Sequence, residues 1–131
     1  MQVLKLSATM EDVVTALKGA IETQKLRLVS HIDGQANAAR IGREVPGDQI
    51  LEVLRPDFAV RVWEACKPAG IEIPIRIHVY EDGENVCVAY RTPQELFEPY
   101  GSAPLTAVGA ELDRLFAAIV EGAKTAVEAT A

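Results

Sequence analysis

The chain has 131 residues, of which 49% are hydrophobic and 24% are charged, and its formal net charge at pH 7 is −6. These proportions exclude an intrinsically disordered chain and are typical of one globular domain, which is expected over residues 1–131. Two cysteines are too few for a disulfide scaffold. The longest apolar run, residues 115–120, is much shorter than the ~20 residues of a transmembrane helix.

The charge distribution disfavours nucleic acids and membranes as partners. Acidic residues outnumber basic residues by 19 to 13, and the basic residues are scattered singly along the chain. Binding to nucleic acid or to an anionic membrane depends on clustered Lys and Arg. No secretory signal pattern follows Met1, so a cytoplasmic location is expected, with Cys66 and Cys87 reduced and buried.

The first third of the chain predicts a strand, a helix and a second strand. Residues 3–6 form a short apolar strand, and a helix follows for which Thr9 is the expected N-terminal cap. Residues 26–33 alternate as a half-buried strand does. This alternation would place His31 and Asp33 together on one side of the strand.

The middle of the chain continues with helix, strand and helix. Residues 35–43 are rich in alanine and predict a short helix, and residues 49–54 predict a third strand after a turn. Pro56 suits the first turn of the next helix, because its missing N–H has no partner there in any case. The apolar side chains of that helix form two adjoining rows, namely Phe58, Val62 and Cys66 in one and Ala59 and Trp63 in the other.

A hairpin is predicted next. Residues 71–80 carry isoleucine or valine at every odd position, which is the clearest strand pattern in the chain. Asp82-Gly83 is the signature of a two-residue type I′ turn, and residues 86–91 continue the alternation. Such a turn would place His78 opposite Cys87.

Two helices are predicted at the C-terminal end. Thr92 and Glu95 have the spacing of a capping box before a short helix. A long amphipathic helix is predicted over residues 105–123, and residues 128–131 are expected to fray. The order β-α-β-α-β-α-β-β-α-α favours an α+β fold, in which a mainly antiparallel sheet packs on a long C-terminal helix and extra short helices are added.

The sequence contains no common cofactor or hydrolase motif. GxGxxG, P-loop, HExxH and GxSxG patterns are all missing, so no cofactor is predicted. His31 and Asp33 could together bind a divalent metal. Asp33 is better explained as the cap of the helix that follows it, so no metal site is predicted.

The predicted hairpin offers a second candidate site. Arg76, His78 and Tyr80 would share one face with Cys87 and Arg91. A facing Cys–His pair could form a reactive thiolate, but no orienting acid or oxyanion hole is recognisable. With His31 and Asp33 on the same side of one sheet, this face suits either a small polar ligand or a two-fold interface.

Three stretches carry a resemblance to a known family over about residues 25–101. Residues 32–38 (IDGQANA) are similar to I-D-H-x-x-N-A, and residues 42–46 (GREVP) with Ile50, Leu51 and Pro56 are similar to G-L-E-L-P…L-L…N-P. Residues 74–82 (PIRIHVYED), with Val88, Tyr90, Pro93 and Leu96, are similar to P-L-K-V-L-V-W-E-D…V-x-Y…P…L. The chain therefore resembles the bacterial and archaeal family catalogued as domain of unknown function 302.

The resemblance implies a β-α-β(4)-α outline with a curved antiparallel sheet packed on the long C-terminal helix, and it suggests a homodimer. It implies no reaction. Gly34 and Tyr100 stand where the family has histidines, so a metal or haem role of those histidines is not expected here. Asp33 and Asn37 match the family pattern and can form a structural turn and cap.

The leading hypothesis is a homodimeric cytoplasmic domain that binds a small-molecule ligand or a protein partner without catalysis. The candidate ligand-binding residues are His31, Asp33, Asn37, Arg76, His78, Tyr80, Cys87 and Arg91. The alternative is a thiol-dependent or metal-assisted enzyme that uses Cys87 and His78. A third hypothesis is a purely structural subunit that uses the sheet face or the long helix as an interface.

Overall fold

The computed structural model describes residues 1–130. Its elements follow the predicted order, and their bounds are β1 Gln2–Leu6, α1 Met10–Thr23, β2 Arg27–Asp33, α2 Gly34–Ala39, β3 Asp48–Leu54, α3 Pro56–Ala65, β4 Ile75–Asp82, β5 Asn85–Tyr90, α4 Pro93–Phe97 and α5 Ala103–Ala129. Short 3-10 segments lie at Lys67–Glu72 and Glu98–Tyr100.

The five strands form one sheet in the order β1-β5-β4-β3-β2, with every neighbouring pair antiparallel. The predicted α+β class is confirmed. Strands β2 to β5 follow one another as a meander, and β1 pairs with β5 at the far edge. Strand β2 is the other edge strand, so β3 separates it from the β4–β5 hairpin.

The core lies between one face of the sheet and the helices. Fully buried sheet residues such as Leu51, Ile77 and Val79 belong to the same apolar cluster as Leu17 of α1 and Phe116 of α5. Removing these side chains from water is the main favourable term in folding. The long helix therefore packs on the sheet, as predicted.

Helix α5 is longer at both ends than the predicted 105–123. Ser102 begins it, because its hydroxyl oxygen accepts a hydrogen bond from the backbone N–H of Leu105 at 3.3 Å. At the other end Val127 is still buried, which keeps residue 128 helical instead of frayed. The predicted fraying of Ala131 lies outside the described residues.

The predicted strand over residues 71–80 is wrong at its beginning. Residues up to Glu72 form a 3-10 segment, Ile71 is 84% exposed, and β4 begins only at Ile75. Pro74 has no N–H to donate to a sheet ladder and lies directly before β4, so the alternating pattern extends beyond the residues that pair.

The hairpin register also differs from the predicted one. Asp82 pairs with Asn85, so the turn residues are Gly83 and Glu84. Gly83 has a φ of 62°, a left-handed conformation that favours glycine. The shift of two residues keeps every side chain on its predicted face, but it changes the partners directly opposite.

A bulge in β2 overturns the predicted alternation of residues 26–33. The register shifts between Leu28 and Ser30. The side chain of Leu28 therefore faces the helix side of the sheet, whereas Ser30, which pairs with Glu52, faces the other side. His31, which pairs with Leu51, consequently faces the helix side. Helix α2 is also shorter than the predicted 35–43, since it ends at Ala39.

Candidate functional site

The sheet face turned away from the helices, here called the open face, carries a row of mostly apolar side chains. The register aligns five residues across the five strands: Val3, Ala89, His78, Ile50 and Ile32. Val3 is 57% exposed and Ile32 is 43% exposed. The row lies outside the apolar cluster between the sheet and the helices, and Ala89 within it is only 6% exposed.

One side of this row is predominantly acidic and is here called the acidic flank, formed by Lys5, Asp48 and Asp82. Lys5 Nζ lies 3.4 Å from an oxygen of Asp82. Both carboxylate oxygens of Asp48 lie 3.0 Å from Nε2 of His78. Two carboxylates against one ammonium group leave this flank with negative charge.

The opposite side is here called the basic flank and contains Glu52, Arg76 and Arg91. Arg76 Nε lies 3.2 Å from Glu52, and the Ser30 hydroxyl donates a 2.6 Å hydrogen bond to the same carboxylate. The Ser30 hydroxyl and then Arg76 hold the pKa of Glu52 below its usual 4.5. Arg91 follows β5 directly and lines a pocket with Arg76 and Glu52.

The structure does not place Cys87 opposite His78. Cys87 lies opposite Tyr80, and His78 lies opposite Ala89. The Cys87 thiol is only 2% exposed, and the neighbouring Cys87 side chain raises the pKa of Tyr80 above its usual 10.0. The His78 ring stacks on Tyr80 with 4.7 Å between centroids. The prediction that Cys87 faces His78 is therefore wrong, because it assumed a hairpin register that differs by two residues from the observed one.

His31, Asp33 and Asn37 do not join the other candidates on the open face. His31 and Asp33 face the helix side of edge strand β2, where His31 hydrogen-bonds to Gln49. Asp33 caps α2 by accepting a 3.0 Å hydrogen bond from the N–H of Ala36, as predicted. Asn37 accepts a 2.9 Å hydrogen bond from Arg40. Within residues 1–130, no three His, Cys, Asp or Glu side chains are grouped to hold a metal ion.

The structure thus brings Arg76, His78, Tyr80 and Cys87 together on the open face and puts Arg91 at its margin. Sequence reasoning missed the residues that β2 and β3 add to this face, namely Ser30, Ile32, Asp48, Ile50 and Glu52. Residues 49–54 do not alternate strictly, and the bulge in β2 reverses the side that its alternation suggests. Neither signal identifies the correct face without the register.

Sequence reasoning also missed a groove beside α3, here called the α3 groove. It has a volume of about 560 Å³ and is lined by residues from β2, the end of β3, α3 and the segment before β4. Trp63, 50% exposed, and Arg27 are among them. One signal was visible in the sequence, namely the second apolar row of α3, in which Ala59 packs against the core but Trp63 stays half exposed.

The family model described as "Domain of unknown function DUF302" matches residues 2–121. The chain belongs to the DUF302 family. The match extends beyond both ends of the region that resembles the family in sequence. A search of curated proteins gave no significant match.

A solved structure shows the same fold. It is described as the crystal structure of uncharacterized conserved protein DUF302 from Bacillus stearothermophilus, and it superposes with a TM-score of 0.84 at 18% sequence identity. The superposition covers 93% of this chain and 96% of that chain. The arrangement of sheet and helices is thus that of a DUF302 domain. No helix in residues 1–130 combines the length and the hydropathy of a membrane span.

Proposed function

We propose that this DUF302 domain is a non-catalytic binding module that forms a homodimer through the open face of its sheet. The observation that carries the proposal is the mostly apolar row outside the core, which is exposed at both ends and has charged flanks. Val3 and Ile32 expose about half of their surfaces at its two ends, on opposite edge strands. An exposed apolar stripe with a polar rim is typical of a protein–protein interface.

The charges on the two flanks favour a second copy of this chain as the partner. A two-fold axis parallel to the apolar row would lay the acidic flank of one protomer on the basic flank of the other. The same surface would then serve both protomers, as two-fold symmetry requires. Apolar rows would meet at the centre, and Asp82 would approach the partner's basic flank.

Two further features support the binding role and its location. The Cys87 thiol is buried against Tyr80 and is not opposite His78, which disfavours its use as a nucleophile. Cys66 and Cys87 are both free thiols. Reduced thiols are typical of cytoplasmic proteins, and the proposal includes a cytoplasmic location.

The first prediction concerns Ile32→Lys, which introduces a charge at the end of the apolar row. We expect wild type to have the mass of a dimer and Ile32→Lys to have the mass of a monomer at the same micromolar concentration, because the buried ammonium group would lack a partner. Native mass spectrometry and light scattering after size-exclusion chromatography measure this directly.

The matched control is Val60→Lys. Val60 has nearly the same exposure, 44% against 43% for Ile32, but it lies on α3 on the other side of the sheet. This variant should remain dimeric. A monomeric wild type, or equal dissociation of the two variants, would refute the open face as the dimer interface.

A further inference from the structure

We infer that the α3 groove binds a small organic anion that has an apolar chain and a terminal carboxylate. The inference deepens the binding role proposed above, because it names a ligand class and a second site beside α3. It requires no dimer. The groove is built from three parts of the chain that are distant in sequence, including β2, α3 and the segment before β4.

The wall of the groove is apolar and partly exposed. Trp63 and Ala59 from α3 line it together with Leu28, Val29 and Ile73. Trp63 is 50% exposed and Val29 is 57% exposed. Exposed large apolar side chains that gather in a concave surface mark a ligand groove more often than a bare surface.

Gly70 allows the indole of Trp63 to lie close to the backbone at the edge of the groove. A Cβ atom at this position would lie 3.2 Å from Trp63 Nε1 and 3.3 Å from its Cδ1, which is tighter than ordinary contact. The Trp63 ring is therefore packed on one side, and it also lines the groove.

One guanidinium group at the groove has no charge partner. Arg55 uses Nε and Nη2 on the Asp57 carboxylate, at 2.6 and 3.1 Å, and Nη1 on the carbonyl oxygen of Lys25. Arg27 also lines the groove, but it forms no salt bridge with any residue in the described range 1–130. Among the residues that the structure describes, no Asp or Glu lines the groove.

This combination selects the ligand class. Guanidinium groups bind carboxylates through paired, charge-assisted hydrogen bonds, and Arg27 can provide them. The apolar wall would contact the rest of the ligand. A volume of about 560 Å³ lies within the range of small-molecule sites, roughly 300–1,000 Å³. A neutral apolar molecule would form no charged contact with Arg27, and the positive charge of Arg27 would repel a cation.

The test uses the fluorescence of Trp63, the single tryptophan of the chain. The full chain is titrated with decanoate, decan-1-ol and decylammonium at the same ionic strength. We expect decanoate to give a saturable blue shift, because it displaces water from the indole. Its affinity should exceed that of decan-1-ol by about tenfold, and that of decylammonium by more.

The variant Arg27→Gln should weaken decanoate binding by about tenfold and leave decan-1-ol binding unchanged, since only the charged contact is lost. Arg43→Gln, an equal change of charge at an exposed arginine outside the groove, should have no effect. The absence of a saturable shift would overturn the inference. Equal weakening by the two variants, or equal affinity for decanoate and decylammonium, would also overturn it.

The same titration of the Ile32→Lys variant separates this inference from the dimer. If the Ile32→Lys variant is monomeric and binds decanoate with the affinity of wild type, the groove is independent of the open face. A wild type that proves monomeric but responds to decanoate through Arg27 supports the groove and rejects the dimer. A dimer that gives no response to decanoate rejects the groove and retains the dimer.

Discussion

The Glu52 carboxylate shows how single side chains on the open face are stabilised. It accepts hydrogen bonds from the Ser30 hydroxyl and from Arg76, on the strands at either side of β3. These contacts favour the ionised form, so the pKa of Glu52 in the folded chain lies below its usual 4.5. Linkage then makes the folding free energy depend on pH.

The direction of this dependence follows from the lowered pKa. The stabilisation from Glu52 is fully present above pH 4.5 and is lost as the pH falls through the lower pKa of the folded chain. We therefore predict that Glu52→Gln lowers the melting temperature by a few degrees at pH 6. The difference from wild type should shrink as the pH falls below 4.5 and through the lowered pKa of the folded chain, because the wild-type carboxylate then becomes protonated.

Thermal melts between pH 3 and pH 7 measure this prediction. Glu84→Gln is the control, because Glu84 is an exposed residue of the β4–β5 turn. It should follow the wild-type curve. A constant offset between Glu52→Gln and wild type across the whole range would contradict the linkage and indicate a packing effect.

At the scale of elements, helix starts are specified by short local signals. Thr9 accepts a 3.1 Å hydrogen bond from the N–H of Asp12 at the start of α1. Thr92 and Glu95 form the predicted capping box of α4, with both hydrogen bonds at 3.1 Å. These contacts involve residues three apart, so the sequence alone identifies them.

We predict that Thr92→Ala destabilises the fold by about 1 kcal/mol, because the N–H of Glu95 loses its acceptor. Thr15→Ala, on the exposed side of α1, is the matched control. It should leave stability unchanged or raise it slightly, since alanine is the better helix former. Urea unfolding measures both changes, and an equal effect of the two substitutions would count against the capping role.

At the scale of the whole molecule, α5 closes the core. Phe116 is fully buried and lies 6.0 Å from the Tyr90 ring, measured between centroids. Tyr90 belongs to β5, and α1 is the helix with which α5 makes its most extensive contact. Loss of the Phe116 ring would leave a cavity where sheet and helices meet.

We predict that Phe116→Ala costs about 3–5 kcal/mol of unfolding free energy. The unfolding free energy of a typical domain is roughly 5–15 kcal/mol, so this loss is a large part of it and the melting temperature should fall sharply. Ile41→Ala, at a residue that is 78% exposed, should change stability little. Chemical denaturation compares the two, and a Phe116→Ala variant as stable as Ile41→Ala would contradict this account of the core.

The sequence by itself predicted the order of the elements, the α+β class, the caps at Thr9, Asp33 and Thr92, and the family. Each of these depends on residues that are near one another in the chain, or on a period that one element repeats. The long C-terminal helix is an example, because its apolar stripe is visible without knowledge of what it covers. Its exact length was not predicted, since burial of Val127 depends on packing with other elements.

Only the tertiary structure decided how the candidate residues are grouped. The bulge after Leu28 moves His31 and Asp33 to the helix side, and the Gly83-Glu84 turn places Cys87 opposite Tyr80. The α3 groove likewise joins Arg27 to Trp63 from distant parts of the chain. Strand register and side-chain proximity depend on which remote residues pair with each other. A local pattern in a single sequence does not show these pairings.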